Sequence, residues 1–298
     1  MQRQTIYLLL FTFVFNSVNA MAQPTSKAAF SPEKWDIKAE NHAFKNIEGK
    51  AALYLENGKA RLKDVQLKNG IIDFDILFPK GRKFVAVHFR IQDDNNYEEF
   101  YLRPHQSGNP DATQYTPVFN GLSAWQLYHG KGHSVAIPFK FEQWMHVRLV
   151  IDSDQMEIFI DDMKKPLLYV PDLKMDTNSG GIGFGTSMGG ATYANLSYQR
   201  IDEPVFVSQR EPLPKPEAGT VSHWQISNPF SVSMLDGVYH LKELTTKKSF
   251  EWRRGSAEFT GTVNLSKYAE KTDKQNAILT KVVINSASEQ PNCNSFSC

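Results

Sequence analysis

Two runs of alternating apolar and polar positions dominate the chain, and they lie close together between Lys83 and Gly130, KFVAVHFRIQDDNNYEEFYLRPHQSGNPDATQYTPVFNGLSAWQLYHG. Successive side chains of a strand point to opposite faces, so Val85, Val87, Phe89 and Ile91 fall on one side and Ala86, His88 and Arg90 on the other. After the turn-forming cluster Asp93-Asp94-Asn95-Asn96 the alternation resumes. Phe100 and Leu102 take the apolar side; Glu99, Tyr101 and Arg103 take the polar one. The pattern predicts a hairpin whose outer face carries His88, Arg90, Glu99, Tyr101 and Arg103. That face is either functional or a solvated surface decorated by cross-strand pairs such as Arg90 with Glu99.

The same period recurs through much of the chain. Asn57-Gly58 within AALYLENGKARLK is a hairpin signal. A turn at Asn69-Gly70 precedes IIDFDILF, where Ile72, Phe74 and Ile76 alternate with Asp73 and Asp75. The segments Ser31 to Asp36 and Ala43 to Gly49 read as lead-in pieces. Pro104 to Ala124 shows neither helical nor strand period, and its Tyr115, Phe119, His105, Asp111, Gln114 and Asn120 make it a candidate binding loop. Trp125 to Tyr128 reads as a strand with Trp125 and Leu127 inward and Gln126 and Tyr128 on the polar face. Further on, FEQWMHVRLVIDSDQMEIFIDD is expected to form two strands around Asp152-Ser153-Asp154, and GGIGFGTSMGGATYANLSYQRID two short strands with a glycine-rich connection. The predicted class is all-β.

Composition narrows the options. With 298 residues, 41% hydrophobic and 22% charged, the chain can bury a sizeable core. Lys+Arg 33 against Asp+Glu 32 leaves a net charge of +1, so no global field recruits nucleic acid. Residues 1–22 combine a charged start, the apolar run IYLLLFTFVF and small residues at Ala20-Met21-Ala22. This pattern predicts a removed signal peptide and an exported, secreted or periplasmic protein. The apolar run is shorter than the ~20 residues a spanning helix needs, so no membrane span is expected. Cys293 and Cys298 can at most close a small terminal loop. His129 and His133 have a four-residue spacing, but Gly130 and Gly132 oppose the helix that would pair them, so no metal site is expected. The glycines after residue 179 match no phosphate-loop pattern. No cofactor is expected.

The strand containing Trp144-Met145-His146-Val147 that leads into EIFIDD, the GGIGF strand and the closing ATYANLSYQ strand together resemble a concanavalin A-like lectin/glucanase, laminin-G-like jelly roll over about Trp35 to Asp202. That resemblance implies an antiparallel jelly-roll sandwich whose concave sheet carries a carbohydrate site, and hence that the polar face above is the concave one. The E-x-D-x-x-E strand of the glucanases is missing; Asp73-Phe74-Asp75 is the nearest run. Residues 203–220 read as a Pro-rich linker. Beyond it, the β-rich span 221–298 is loosely similar to galactose-binding-like modules, and it falls short of the seven strands and ~100 residues of a full sandwich.

Two functions fit this reading. A carbohydrate-binding module would hold a glycan or polysaccharide through Tyr97, Tyr101 and Tyr128, with Tyr115 as a further candidate, and through Arg90, Arg103, Glu99 and Gln126; His88, Asp73 and Asp75 complete the candidate set. Alternatively, the same face degrades a polysaccharide. Hydrolysis would use paired acids among Asp73, Asp75 and Glu99; lyase chemistry would use Tyr101 and His88 for proton transfer and an arginine to neutralise a uronate.

Overall fold

The computed structural model describes residues 24–175, 179–213, 215–235, 250–268, 272 and 275–282; the leader and both cysteines fall outside that set. A short β1 (Ser26–Lys27) and a 3-10 turn at Pro32–Lys34 precede two thirteen-residue strands, β2 (Trp35–Ile47) and β3 (Lys50–Leu62). Their hairpin turns at Glu48-Gly49, both at positive φ, as a tight turn between right-twisted strands requires. The expected turn at Asn57-Gly58 is instead a bend inside β3. Asn57 does adopt φ 49°, but the strand pairs with the same neighbour on either side of it. Gly58 allows the close approach there, since a Cβ would lie 2.2 Å from the Lys38 carbonyl oxygen.

Next come β4 (Gly70–Leu77), β5 (Phe84–Ile91), β6 (Tyr97–Leu102), β7 (Thr113–Phe119), β8 (Leu122–Ser123) and β9 (Ser134–Val135). The hairpin of β5 and β6 turns at Asp93–Asn95, as the polar cluster predicts. The span expected to be a loop contains β7, in which Tyr115 is fully buried. Pro117 and the surrounding Thr and Gln residues hid it. β10 (Met145–Asp152), β11 (Gln155–Ile160) and β12 (Leu168–Val170) follow, and then β13 (Gly181–Arg200). The two short strands expected at the end of the sandwich are this single twenty-residue strand. Its irregularity between Thr186 and Gly190 marks where it moves on from its pairing with β5 to its pairing with β4.

All of this is antiparallel, in the order β12-β11-β10-β4-β13-β5-β6-β7-β8, with β3 also on β13 and β2 on β3. The curled sheet is the jelly-roll sandwich that the resemblance implies, and among the described residues there is no α-helix. Its core holds the inward positions of both halves: Ile72, Phe74 and Ile76 from β4; Val85, Val87 and Phe89 from β5; Phe100 and Leu102 from β6; Val147, Leu149 and Ile151 from β10. Rings of Phe184 and Tyr193 stack at 4.0 Å near its centre. Removing this apolar area from water is the main stabilising term.

Beyond the sandwich, β14 (His223–Ser227), β15 (Trp252–Ser256) and β16 (Thr280–Lys281) form a small separate sheet in the order β15-β14-β16. The preceding segment is pinned to the sandwich. Glu157, fully buried on β11, accepts from the backbone N–H groups of Val207 at 2.8 Å and Ser208 at 2.6 Å. Arg210 pairs with Asp152.

Candidate functional site

On the outward face of β13, β5 and β6 lies an open cavity of about 570 Å³. Its floor exists because two small residues face each other: Gly185 of β13 pairs with Ala86 of β5. A Cβ on Gly185 would stand 2.4 Å from the His88 ring, so the glycine is what lets the imidazole lie over the strand. His88 pairs in register with Glu99 of β6, and their side chains meet at 3.4 Å. The Tyr97 ring stacks obliquely on His88 at 4.5 Å and carries the Lys59 ammonium 4.4 Å from its centroid.

The other wall is a polar chain. Arg103 donates to the Tyr101 hydroxyl and to Gln114 Oε1, both at 2.6 Å, and Tyr101 in turn donates to the same Gln114 oxygen at 2.6 Å. Gln114 donates onward to the backbone carbonyls of Trp125, at 2.6 Å, and Tyr128. Asp111 holds the far end of the guanidinium at 3.1 Å. Burial pushes the Tyr101 hydroxyl well above its ordinary range, outweighing the Arg103 charge beside it, so the phenol stays protonated. Trp125, 49% exposed, stands on the rim with Arg103 5.6 Å from its ring centroid. His105 and Thr186 also line the space, and His105 Nδ1 and Thr186 Oγ1 are buried with no hydrogen-bond partner among the described residues.

Of the residues singled out from the sequence, His88, Tyr97, Glu99, Tyr101, Arg103, His105 and Asp111 are brought together here, with Gln114 bonded behind them. Arg90, Tyr115, Gln126, Tyr128, Asp73 and Asp75 do not line the cavity. Arg90 adopts φ 48° at a break in register with β13, and this bulge turns its side chain under the sheet, where it is 2% exposed. There it faces the fully buried Glu98 at 3.4 Å and donates to the Ser153 carbonyl. Burial raises the Glu98 carboxyl, opposed by Arg90, the Tyr115 hydroxyl and the backbone amides of Met175 and Lys174. Ile91, displaced by the same bulge, leaves the main core and packs with Tyr97 and Val118.

Residues 125–128 form a turn rather than a strand, which inverts the expected faces. Trp125, Gln126 and Leu127 are exposed, and Tyr128 is 1% exposed. The Tyr128 hydroxyl donates to Glu258 at 2.5 Å and accepts from Asn264 at 3.1 Å, so it joins the C-terminal segment to the sandwich instead of facing a ligand.

Asp73 and Asp75 share a face, as expected, but it is the outward face of β4 and does not line the cavity. His146 on β10 lies between them, with Nδ1 2.7 Å from Asp75 and Nε2 3.1 Å from Asp73. Arg148 also binds Asp73 at 2.7 Å, and Lys50 binds Asp75 at 2.6 Å. Burial opposes ionisation of Asp75, but hydrogen bonds from His146, Lys50 and Asn195 win and hold it at about 2. The two aspartates raise His146 to about 9.

Several cavity residues escaped the sequence reading. Lys59 sits just past the Asn57-Gly58 bend, Arg82 lies in the loop before β5, and Trp125 falls on the inward side of its apparent alternation. The signal that could have found the floor is the glycine run in β13, since glycine inside a strand marks a close approach.

Neither a protein-family model nor a curated protein matches the chain. Solved structures similar to it include a carbohydrate-binding module from Bacillus subtilis, CBM66 (16% identity, TM-score 0.43), which covers 55% of this chain and 93% of its own. A β-glucanase of Bacillus licheniformis matches at 9% identity and TM-score 0.40, over 57% of this chain and 94% of its own. A prokaryotic β-1,3-1,4-glucanase derived from a mouse hindgut metagenome matches at 8% identity and TM-score 0.43, over 59% and 99%.

Proposed function

We propose that this protein binds a glycan in the cavity over β5 and β6. The observation that carries the reading is the combination of an exposed Trp125 on the rim, buried tyrosines lining the interior, and a fixed Arg103–Tyr101–Gln114 chain over a floor of Gly185 and Ala86. Aromatic faces suit the CH faces of sugars, and fixed polar groups suit their hydroxyls. Hydrolysis finds less support, because Asp73 and Asp75 are committed to His146, Arg148 and Lys50, away from the cavity. Within the cavity, Glu99 faces His88 and Asp111 faces Arg103. A lyase base at Tyr101 is disfavoured by the protonated phenol.

On this reading residues 1–22 direct export and residues 23–202 carry the site. The segment 203–220 straps the sandwich to a smaller β-rich module. Affinity electrophoresis of the full chain over a polysaccharide panel tests the binding, with reducing-sugar release and absorbance of unsaturated uronates followed in parallel. Retardation by at least one polymer without product release is expected. Release of reducing ends or unsaturated products would replace the binding reading with an enzymatic one.

A further inference from the structure

We propose that the glycan held in this cavity is anionic, bearing carboxylate or sulfate groups on its sugar rings; this rests on the glycan-binding reading above. The cavity is lined by three permanent cations, Lys59, Arg82 and Arg103. Against these stand two carboxylates: Asp111 faces Arg103 at 3.1 Å, and Glu99 lies 3.4 Å from the His88 ring. Arg82 and Lys59 make no ion pair among the described residues. Among the described residues the Lys59 ammonium donates to the Asp94 carbonyl at 2.8 Å and lies over the Tyr97 ring.

Burial lowers the pKa of the half-buried Lys59, with Glu99 and Asp94 opposing, so its charge is only partly compensated. An anion in the cavity would supply that compensation, and its hydrogen bonds to the cations would be about twice as strong as neutral ones. The unpartnered Thr186 hydroxyl and His105 ring nitrogen are further groups that a ligand's oxygens and hydroxyls can satisfy. The whole chain carries a net charge of only +1, so the attraction is local to this cavity.

The test titrates the full chain with two matched pairs of polymers: a polyuronate and its carboxyl-reduced form, and a sulfated galactan and its desulfated form. At least one charged polymer is expected to bind about ten-fold more tightly than its neutralised partner and to weaken as salt rises. The pair that shows the difference tells carboxylate from sulfate. Arg82→Gln and Lys59→Gln are each expected to reduce the ratio of charged-polymer to neutralised-polymer affinity several-fold. Equal affinity within both pairs overturns the anionic assignment and leaves glycan binding standing. Undiminished binding of charged polymer by both variants overturns it as well, whereas no binding to any of the four or to the wider panel overturns both readings.

Discussion

At the scale of single residues, the chain separates cations that hold the fold from cations that face solvent. Arg90 belongs to the first kind. Replacing it by alanine strands the buried Glu98 carboxyl, and breaking a buried pair in this way costs about 3–5 kcal/mol. Arg90→Ala is therefore expected to shift the denaturant midpoint strongly, and a shift within the scatter of surface variants would contradict the placement.

His146 gives a pH signature. Its value rises from 6.5 to about 9 on folding, so its contribution is fully present below pH 6.5 and is lost as pH climbs through about 9. Asp75 falls from 3.8 to about 2, so its contribution is present above pH 3.8 and is lost as pH falls through about 2. Thermal melts should show a plateau between roughly pH 4 and 6.5, and His146→Asn should remove the decline on the alkaline side. An alkaline limb unchanged in the variant would refute the assignment.

At the scale of elements, the site depends on two departures from regular strands. The bulge at Arg90 sends one polar side chain inward and the next apolar one outward, so alternation read from the sequence holds from Val85 to Phe89 and then inverts. The glycine at 185 makes room for His88. Gly185→Ala should cost about 1–3 kcal/mol, as overpacking does, because the His88 ring is itself buried and cannot swing clear. Unfolding curves superimposing on those of the parent would show that the ring is free to move. Strand periodicity makes the β5–β6 hairpin legible in the sequence. β7 is obscured by a proline and by polar residues that are buried through hydrogen bonds rather than hydrophobicity, such as Gln114. The strand-like run Trp125 to Tyr128 misleads for the opposite reason: two-residue alternation over four positions also suits a turn, and in the turn Trp125 is exposed and Tyr128 buried.

At the scale of the whole molecule, the described residues join the sandwich to the C-terminal segment in at least two places. One is the strap held by the buried Glu157 carboxylate and the Arg210–Asp152 pair. The other joins Tyr128 and Lys174 to Glu258, the latter at 2.8 Å, with Asn120 donating to the Ser266 carbonyl at 2.7 Å. A chain ending at Asp202 removes the partners of Glu157 and Tyr128 and should melt below the full chain; equal melting temperatures would show that neither contact matters. In limited proteolysis the first cuts are expected between Glu211 and Gly219, beyond the pinned residues 207–210, and cleavage beginning at Val207 would contradict the pinning.

Isothermal titration of Trp125→Ala beside the parent protein, with the polymer selected from the panel, tests whether a glycan occupies the cavity beside Trp125. The ring is 49% exposed, so its loss should leave the melting temperature nearly unchanged. If it stacks on the sugar, affinity should fall by about five- to ten-fold, corresponding to roughly 1 kcal/mol for one aromatic contact. Unchanged affinity with an unchanged melting temperature would place the glycan elsewhere on the protein.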